Sequence, residues 1–188
     1  MAVIVVGGSG RGVGKTSLVC GLIAALPEMA FAAVKITSHD HGRPEPVWED
    51  FASAGAGTGK DTARYLGAGA RRALLVAASE NSLTVQIGEV WAKLGPRANV
   101  IFESNRVVEF LQPDICLGVM GTGIAGGESP VKPSFLPFLR CADALVVRSS
   151  AEDSVKAEQD AATPLFRLAD LERISPAMLA WVRSALHS

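Results

Sequence analysis

The sequence predicts a three-layer α/β/α fold built on a doubly wound, mainly parallel sheet. Short apolar or β-branched runs alternate with stretches of helical spacing along the chain. The first run, Val3–Val6, feeds a glycine-dense loop that closes on Gly14, Lys15 and Thr16, and an apolar stretch from Leu18 to Leu26 follows. The chain has 188 residues, of which 48% are hydrophobic. That is enough to bury a sizeable core in a single domain spanning residues 1–188, and it argues against disorder.

In order, Val3–Val6 reads as the first strand and Lys15–Leu26 as the first helix, which Pro27 then stops. Phe31–Ile36 is mostly apolar, as a buried parallel strand should be. Residues 37–59 read as one long loop, a length that in a compact domain implies function or mobility. A short helix is expected over Asp61–Leu66, with Asp61 as a plausible cap, and a third strand over Ala73–Ala77. Leu83, Ile87, Val90, Trp91 and Leu94 give helical spacing to Ser82–Leu94. Asn99–Phe102 is a fourth strand, Arg106–Leu111 a helical turn or two, and Ile115–Met120 a fifth strand. Residues 121–137 hold four glycines and three prolines and read as a second soft region. Phe138–Ala142 is expected to be a short helix, Ala144–Val147 a sixth strand and Pro164–Leu168 a last one. A terminal amphipathic helix is expected over Ser175–Leu186, with Ser175 as its cap and Pro176 in its first turn.

Strand, glycine loop and helix together make a phosphate-binding element. Glycines let successive backbone N–H groups converge on one anion, and the helix N-terminus adds its positive end. Gly10, Arg11, Gly12, Val13, Gly14, Lys15, Thr16 and Ser17 are the residues expected to bind the nucleotide phosphates. Within them Lys15 reaches the β and γ phosphates, and the Thr16 hydroxyl binds Mg²⁺. Ser9 stands where the usual pattern has a glycine. Dimerising ATPases carry a second lysine five residues before the main one; that place is Gly10 here, which speaks against such a switch ATPase. Such a loop needs an acidic partner at the exit of an apolar strand, and Glu103, after Val100–Phe102, fits as the second Mg²⁺ residue. Ser104 and Asn105 continue its polar lip.

His39, Asp40 and His41 leave the second strand at the same edge, either as ligand groups or as part of a solvated loop. Gly59–Thr62 looks superficially like a second phosphate loop but lacks a preceding strand. Arg71 and Arg72 are expected to be exposed, and Lys132 either to lie in solvent or to close over a substrate phosphate.

A net charge of −1 offers no footprint for nucleic acid. Cys20, Cys116 and Cys141 match neither a zinc spacing nor a disulfide framework; each is expected as a buried small hydrophobe in a reducing cytoplasm. No apolar run approaches the ~18 residues of a membrane span, and no signal peptide is read.

The order of motifs resembles the molybdopterin-guanine dinucleotide biosynthesis protein B (MobB) family. The phosphate loop ending Gly14–Thr16 comes first, then a segment led by Lys35 with Thr37, His39 and Asp40. Gly59, Lys60, Asp61 and Thr62 follow, with Ala68, Gly69 and Ala70 at matching spacing, and then Glu103 at a strand's end. The likeness covers about residues 1–105. Ile36 and Ser38 replace two of the family's histidines, and Ser104 replaces a glycine. The resemblance implies a P-loop NTPase fold, a homodimer, GTP or ATP with Mg²⁺, and a partner enzyme that attaches GMP to molybdopterin. It also implies that Asp40 and Asp61 lie in the site. An accessory protein with weak hydrolysis is the expected activity. The alternative is a small-molecule kinase or ligase using ATP, with Lys15 activating the γ-phosphate, Asp40 or Asp61 as base, and Lys35 or Lys132 clamping the acceptor.

Overall fold

Apolar runs that alternate by twos place one side chain set on each face of a sheet, and here both faces are covered. The computed structural model describes residues 1–37, 47–51, 60–121, 131–148 and 163–187. Along the chain these form β1 (Val3–Gly8), α1 (Lys15–Ala25), β2 (Ala32–Thr37), β3 (Val47–Phe51), α2 (Lys60–Gly67) and β4 (Arg72–Ala77). They continue as α3 (Leu83–Leu94), β5 (Val100–Glu103), β6 (Ile115–Met120), α4 (Phe135–Leu139), β7 (Ala144–Arg148), β8 (Leu165–Leu168) and α5 (Pro176–Ala185). Among the described residues the eight strands make one sheet in the order β3-β4-β2-β5-β1-β6-β7-β8. Every pairing is parallel except β3 with β4.

Ile4, Val6, Ala33, Ile101, Leu117 and Val146 face a layer formed by α1, α2 and α5. Val3, Val5, Val34, Phe102, Cys116 and Val147 face the other layer, with α3 and α4. Helix α1 is apolar on nearly all sides, and Leu18 through Ile23 are buried. Gly21 lets the turn at Leu171 and Glu172 approach: a Cβ there would lie 2.7 Å from the Leu171 carbonyl oxygen.

The parity of the strands decides where the polar residues go. Lys35 shares the face of Ala33, and Glu103 shares that of Ile101, so both point toward the α1–α2 layer. Register then brings them together: Glu103 pairs with Val6 of β1 on one side and with Lys35 of β2 on the other.

Four expectations need correcting. Residues 37–59 are not loop throughout, because Val47–Phe51 forms the antiparallel edge strand β3. Glu49 and Asp50 interrupt the apolar run by which a strand is read from sequence. The short helix near Phe138 starts earlier, at Phe135, since a proline in the first turn forfeits no helical hydrogen bond and Pro137 sits there. Cys141 is exposed, although Cys20 and Cys116 are buried as expected. Asp61 lies inside the first turn of α2 rather than capping it. Ser175 does cap α5, accepting the Met178 N–H at 3.3 Å. No helix among the described residues is long and apolar enough to cross a membrane.

Candidate functional site

The loop between β1 and α1 is shaped by its glycines. Gly12 and Gly14 have φ of 75° and 103°, a region that side chains rarely adopt. Gly14 is also crowded: a Cβ there would lie 2.2 Å from Leu171 Cδ1. Helix α1 starts directly after it, with no side-chain cap and no acidic residue in its first turn. Its first N–H groups are thus left for an anion. Asn105 braces the loop's entry, its Oδ1 accepting the Gly8 N–H at 2.7 Å and its Nδ2 donating to the Gly8 carbonyl at 3.0 Å.

Lys15 folds back over this loop and donates to the Gly10 carbonyl at 2.7 Å. Burial holds its ammonium below the usual lysine value; the charges of Lys132 and Lys35 add to that, and Glu103 opposes it. An approaching anion would reverse this penalty.

Glu103 is the hub. It is only 4% exposed, and its carboxylate accepts from three donors. Thr16 Oγ1 donates to Oε2 at 2.7 Å, Lys35 Nζ donates to Oε1 at 2.9 Å, and the Tyr65 hydroxyl donates to Oε2. Lys35 also pairs with Asp61 Oδ2 at 2.6 Å. Burial alone would lower the Lys35 value, but Glu103 and Asp61 outweigh it and the net direction is up. Tyr65 is fully buried; burial first and then the Glu103 charge push its phenol well above the ordinary value, so it stays a donor.

The remaining expected residues divide. Arg11 and Gly12 are exposed at the loop's tip, and Val13 is half-buried. Ser17 faces α2, where its hydroxyl accepts from Arg64 at 2.8 Å; the same guanidinium pairs with Glu172 at 2.6 Å. Asp40, with His39 and His41, lies outside the described residues, as does Gly59. Arg71 is exposed, while Arg72 is half-buried at the start of β4 and donates to the Lys93 carbonyl at 2.7 Å. Lys132 is half-buried beside the loop rather than out in solvent.

Sequence reasoning missed Tyr65, the chain's one tyrosine. Its spacing was the available signal: Asp61 and Tyr65 are four apart on α2 and therefore share a face.

Mg²⁺ is a hard cation that takes oxygen donors and is commonly held by one or two protein groups plus phosphate. Thr16 and Glu103, in direct contact, fit that pattern. Among the described residues no group of three or more His, Cys, Asp or Glu could hold a metal unaided. The rest of the ion's sphere would come from phosphate oxygens and water.

A glycine loop between the first strand and first helix of a mainly parallel sheet, with an acidic strand end alongside, is the fold of the P-loop NTPases. The solved structure of LpxK from Aquifex aeolicus, in its "apo" form in complex with ATP, is similar in fold, with a TM-score of 0.55 and 21% identity. The match covers 89% of this chain and 53% of LpxK, so the chain spans about half that protein's length. No protein-family profile matches the sequence, and no curated protein matches it either.

Proposed function

We propose that the chain binds Mg²⁺ and a nucleoside triphosphate, GTP or ATP, through residues 10–17, and hydrolyses it slowly as an accessory protein of the kind its motif order resembles in MobB. The observation that carries this reading is the contact of Thr16 with Glu103 at 2.7 Å, one residue from the loop lysine. When bound, Mg²⁺ would neutralise charge on the phosphates and orient them. The chain's own groups do the rest. Backbone N–H groups of the loop bind phosphate oxygens. Lys15 exchanges the Gly10 carbonyl for a phosphate oxygen. Lys35 and Tyr65 donate to Glu103 and hold its carboxylate against Thr16.

Slow hydrolysis fits the two carboxylates described beside the loop. A general base must be free to take a proton from water. Glu103 and Asp61 are both engaged by Lys35, and Glu103 also by two hydroxyls. A nucleotidyltransferase acting on molybdopterin is the proposed partner, and a homodimer the proposed assembly.

A panel of GTP and ATP with Mg²⁺, titrated into wild type and Lys15→Ala, tests the binding. Binding by the wild type and its loss in the variant are expected; equal binding by both would contradict the site. Rapid turnover by the purified protein alone would contradict the accessory role.

The kinase reading stays as the alternative, on a specific observation: the Asp61–Lys35 pair offers a carboxylate and an ammonium side by side at the mouth of β2. A phosphorylated product from a panel of small metabolites and ATP would favour it over the accessory role.

A further inference from the structure

Ser9 departs from the phosphate-loop pattern, and the structure gives the departure a use. The residue is 4% exposed, and each of its polar groups is engaged. Its N–H donates to the Val119 carbonyl at 2.9 Å. Its Oγ accepts the Gly121 N–H at 3.0 Å. Its carbonyl accepts the Lys132 N–H at 2.8 Å. One loop residue thus fixes the end of β6 and, from the far side of the following stretch, the backbone of Lys132. The next residue, Gly10, holds the Lys15 ammonium.

Lys132 is therefore anchored to the same loop as Lys15, one residue away. Its side chain is half-buried, and among the described residues no carboxylate pairs with it. Its charge bears on Lys15 more strongly than that of Lys35, which sits at the neighbouring carboxylate. The loop that Lys15 covers also holds the Lys132 backbone, and two like charges on such neighbours repel each other until an anion lies between them. The anion of matching chemistry is the end of a triphosphate, which the loop lysine of such a site reaches.

We propose that Lys132 is a second phosphate-binding residue that acts with Lys15 on the terminal phosphoryl group of a bound nucleoside triphosphate, positioned through Ser9. The inference rests on the nucleotide reading above. A lysine supplies a mobile point charge there for the terminal group, which a diphosphate lacks.

The test is calorimetric titration of wild type, Lys132→Ala and Lys132→Arg with Mg²⁺ and ATP, and separately with ADP. The purified full chain is used, and the melting temperature of each variant serves as a folding control. Loss of one charge-assisted contact should weaken ATP binding about tenfold in Lys132→Ala. ADP binding should change by less than about threefold, the difference reflecting the missing terminal group. Lys132→Arg should keep most of the preference for ATP. Equal weakening toward ATP and ADP, or no change toward either, would overturn the proposal, including the case in which Lys132 serves a second substrate's phosphate. If in those cases Lys15→Ala still abolishes binding, the nucleotide reading survives and only the role of Lys132 falls. A wild-type protein that binds no nucleotide sinks both.

Discussion

At the amino ends of the strands, polar side chains close off backbone groups. Asn99 Oδ1 accepts the Ala2 N–H at 2.8 Å, Asp114 Oδ2 accepts the Val3 N–H at 2.7 Å, and Asp143 Oδ2 accepts the Cys116 N–H at 2.7 Å. At the carboxyl ends a cluster of side chains pairs within itself: Thr16, Lys35, Asp61 and Tyr65 converge on or around Glu103. The first arrangement satisfies donors that the sheet leaves over, each with one acceptor. The second gathers charge in a largely desolvated place, where a pair of groups seldom adds net stability. In open α/β sheets ligands bind at the carboxyl ends, and that end here is where the polar side chains serve one another.

The comparison can be broken most forcefully at Lys15. Burial disfavours its charged form, so the ammonium costs stability at neutral pH, a cost that fades as pH rises. Lys15→Met should abolish nucleotide binding, by about a hundredfold or more for a doubly engaged charge, yet leave the melting temperature unchanged or raised. A lower melting temperature would mean that the carboxyl end is built for stability after all.

Glu103→Gln comes next. It should weaken Mg²⁺-nucleotide binding and flatten its dependence on Mg²⁺ concentration. Removing one partner of a buried pair costs about 3–5 kcal/mol, and the upper part of that range should be softened here because Lys35 keeps Asp61. Chemical denaturation read beside the binding titration checks both. An unchanged Mg²⁺ dependence would remove Glu103 from the metal site.

Asp114→Ala sharpens the other side of the contrast. Loss of a charged acceptor should cost about 1.5–3 kcal/mol of stability. The nucleotide Kd should stay within about twofold, since the change lies at the far end of the sheet.

The cysteines give the smallest effect. Burial pushes Cys20 up to about 11 and Cys116 up to about 12, whereas Cys141 is exposed. Iodoacetamide at pH 8 should therefore modify Cys141 and spare the other two in the folded protein. The folded chain holds the Cys20 and Cys116 protons more tightly than the unfolded chain does. Their contribution to stability is intact below the unfolded thiol value of 9.0 and falls as pH climbs toward 11 and 12. Melting curves at rising pH should show that decline, and it should be shallower in the Cys20→Ala, Cys116→Ala double variant.

Much of this was legible in the sequence because apolar period and glycine placement have local causes. Strand β6 falls on Ile115–Met120 as read, and Thr16 and Glu103 meet beside the glycine loop. What stayed hidden depends on partners far along the chain. The edge strand β3 needs β4 to exist, and its Glu49 and Asp50 disguise it. The hub on Glu103 needs the register that sets Lys35 opposite it and the helix face that brings Tyr65 in. Ser9 looked like a flaw in a motif because its three partners lie more than a hundred residues away.

The central claim is tested most directly by the structure of the protein crystallised with Mg²⁺ and a non-hydrolysable triphosphate. The account predicts phosphate oxygens on the amides of residues 12–16, the Lys15 ammonium turned from Gly10 to the triphosphate, and the ion between Thr16 and Glu103. A triphosphate bound elsewhere, or a loop that keeps Lys15 on Gly10 with ligand present, would contradict it.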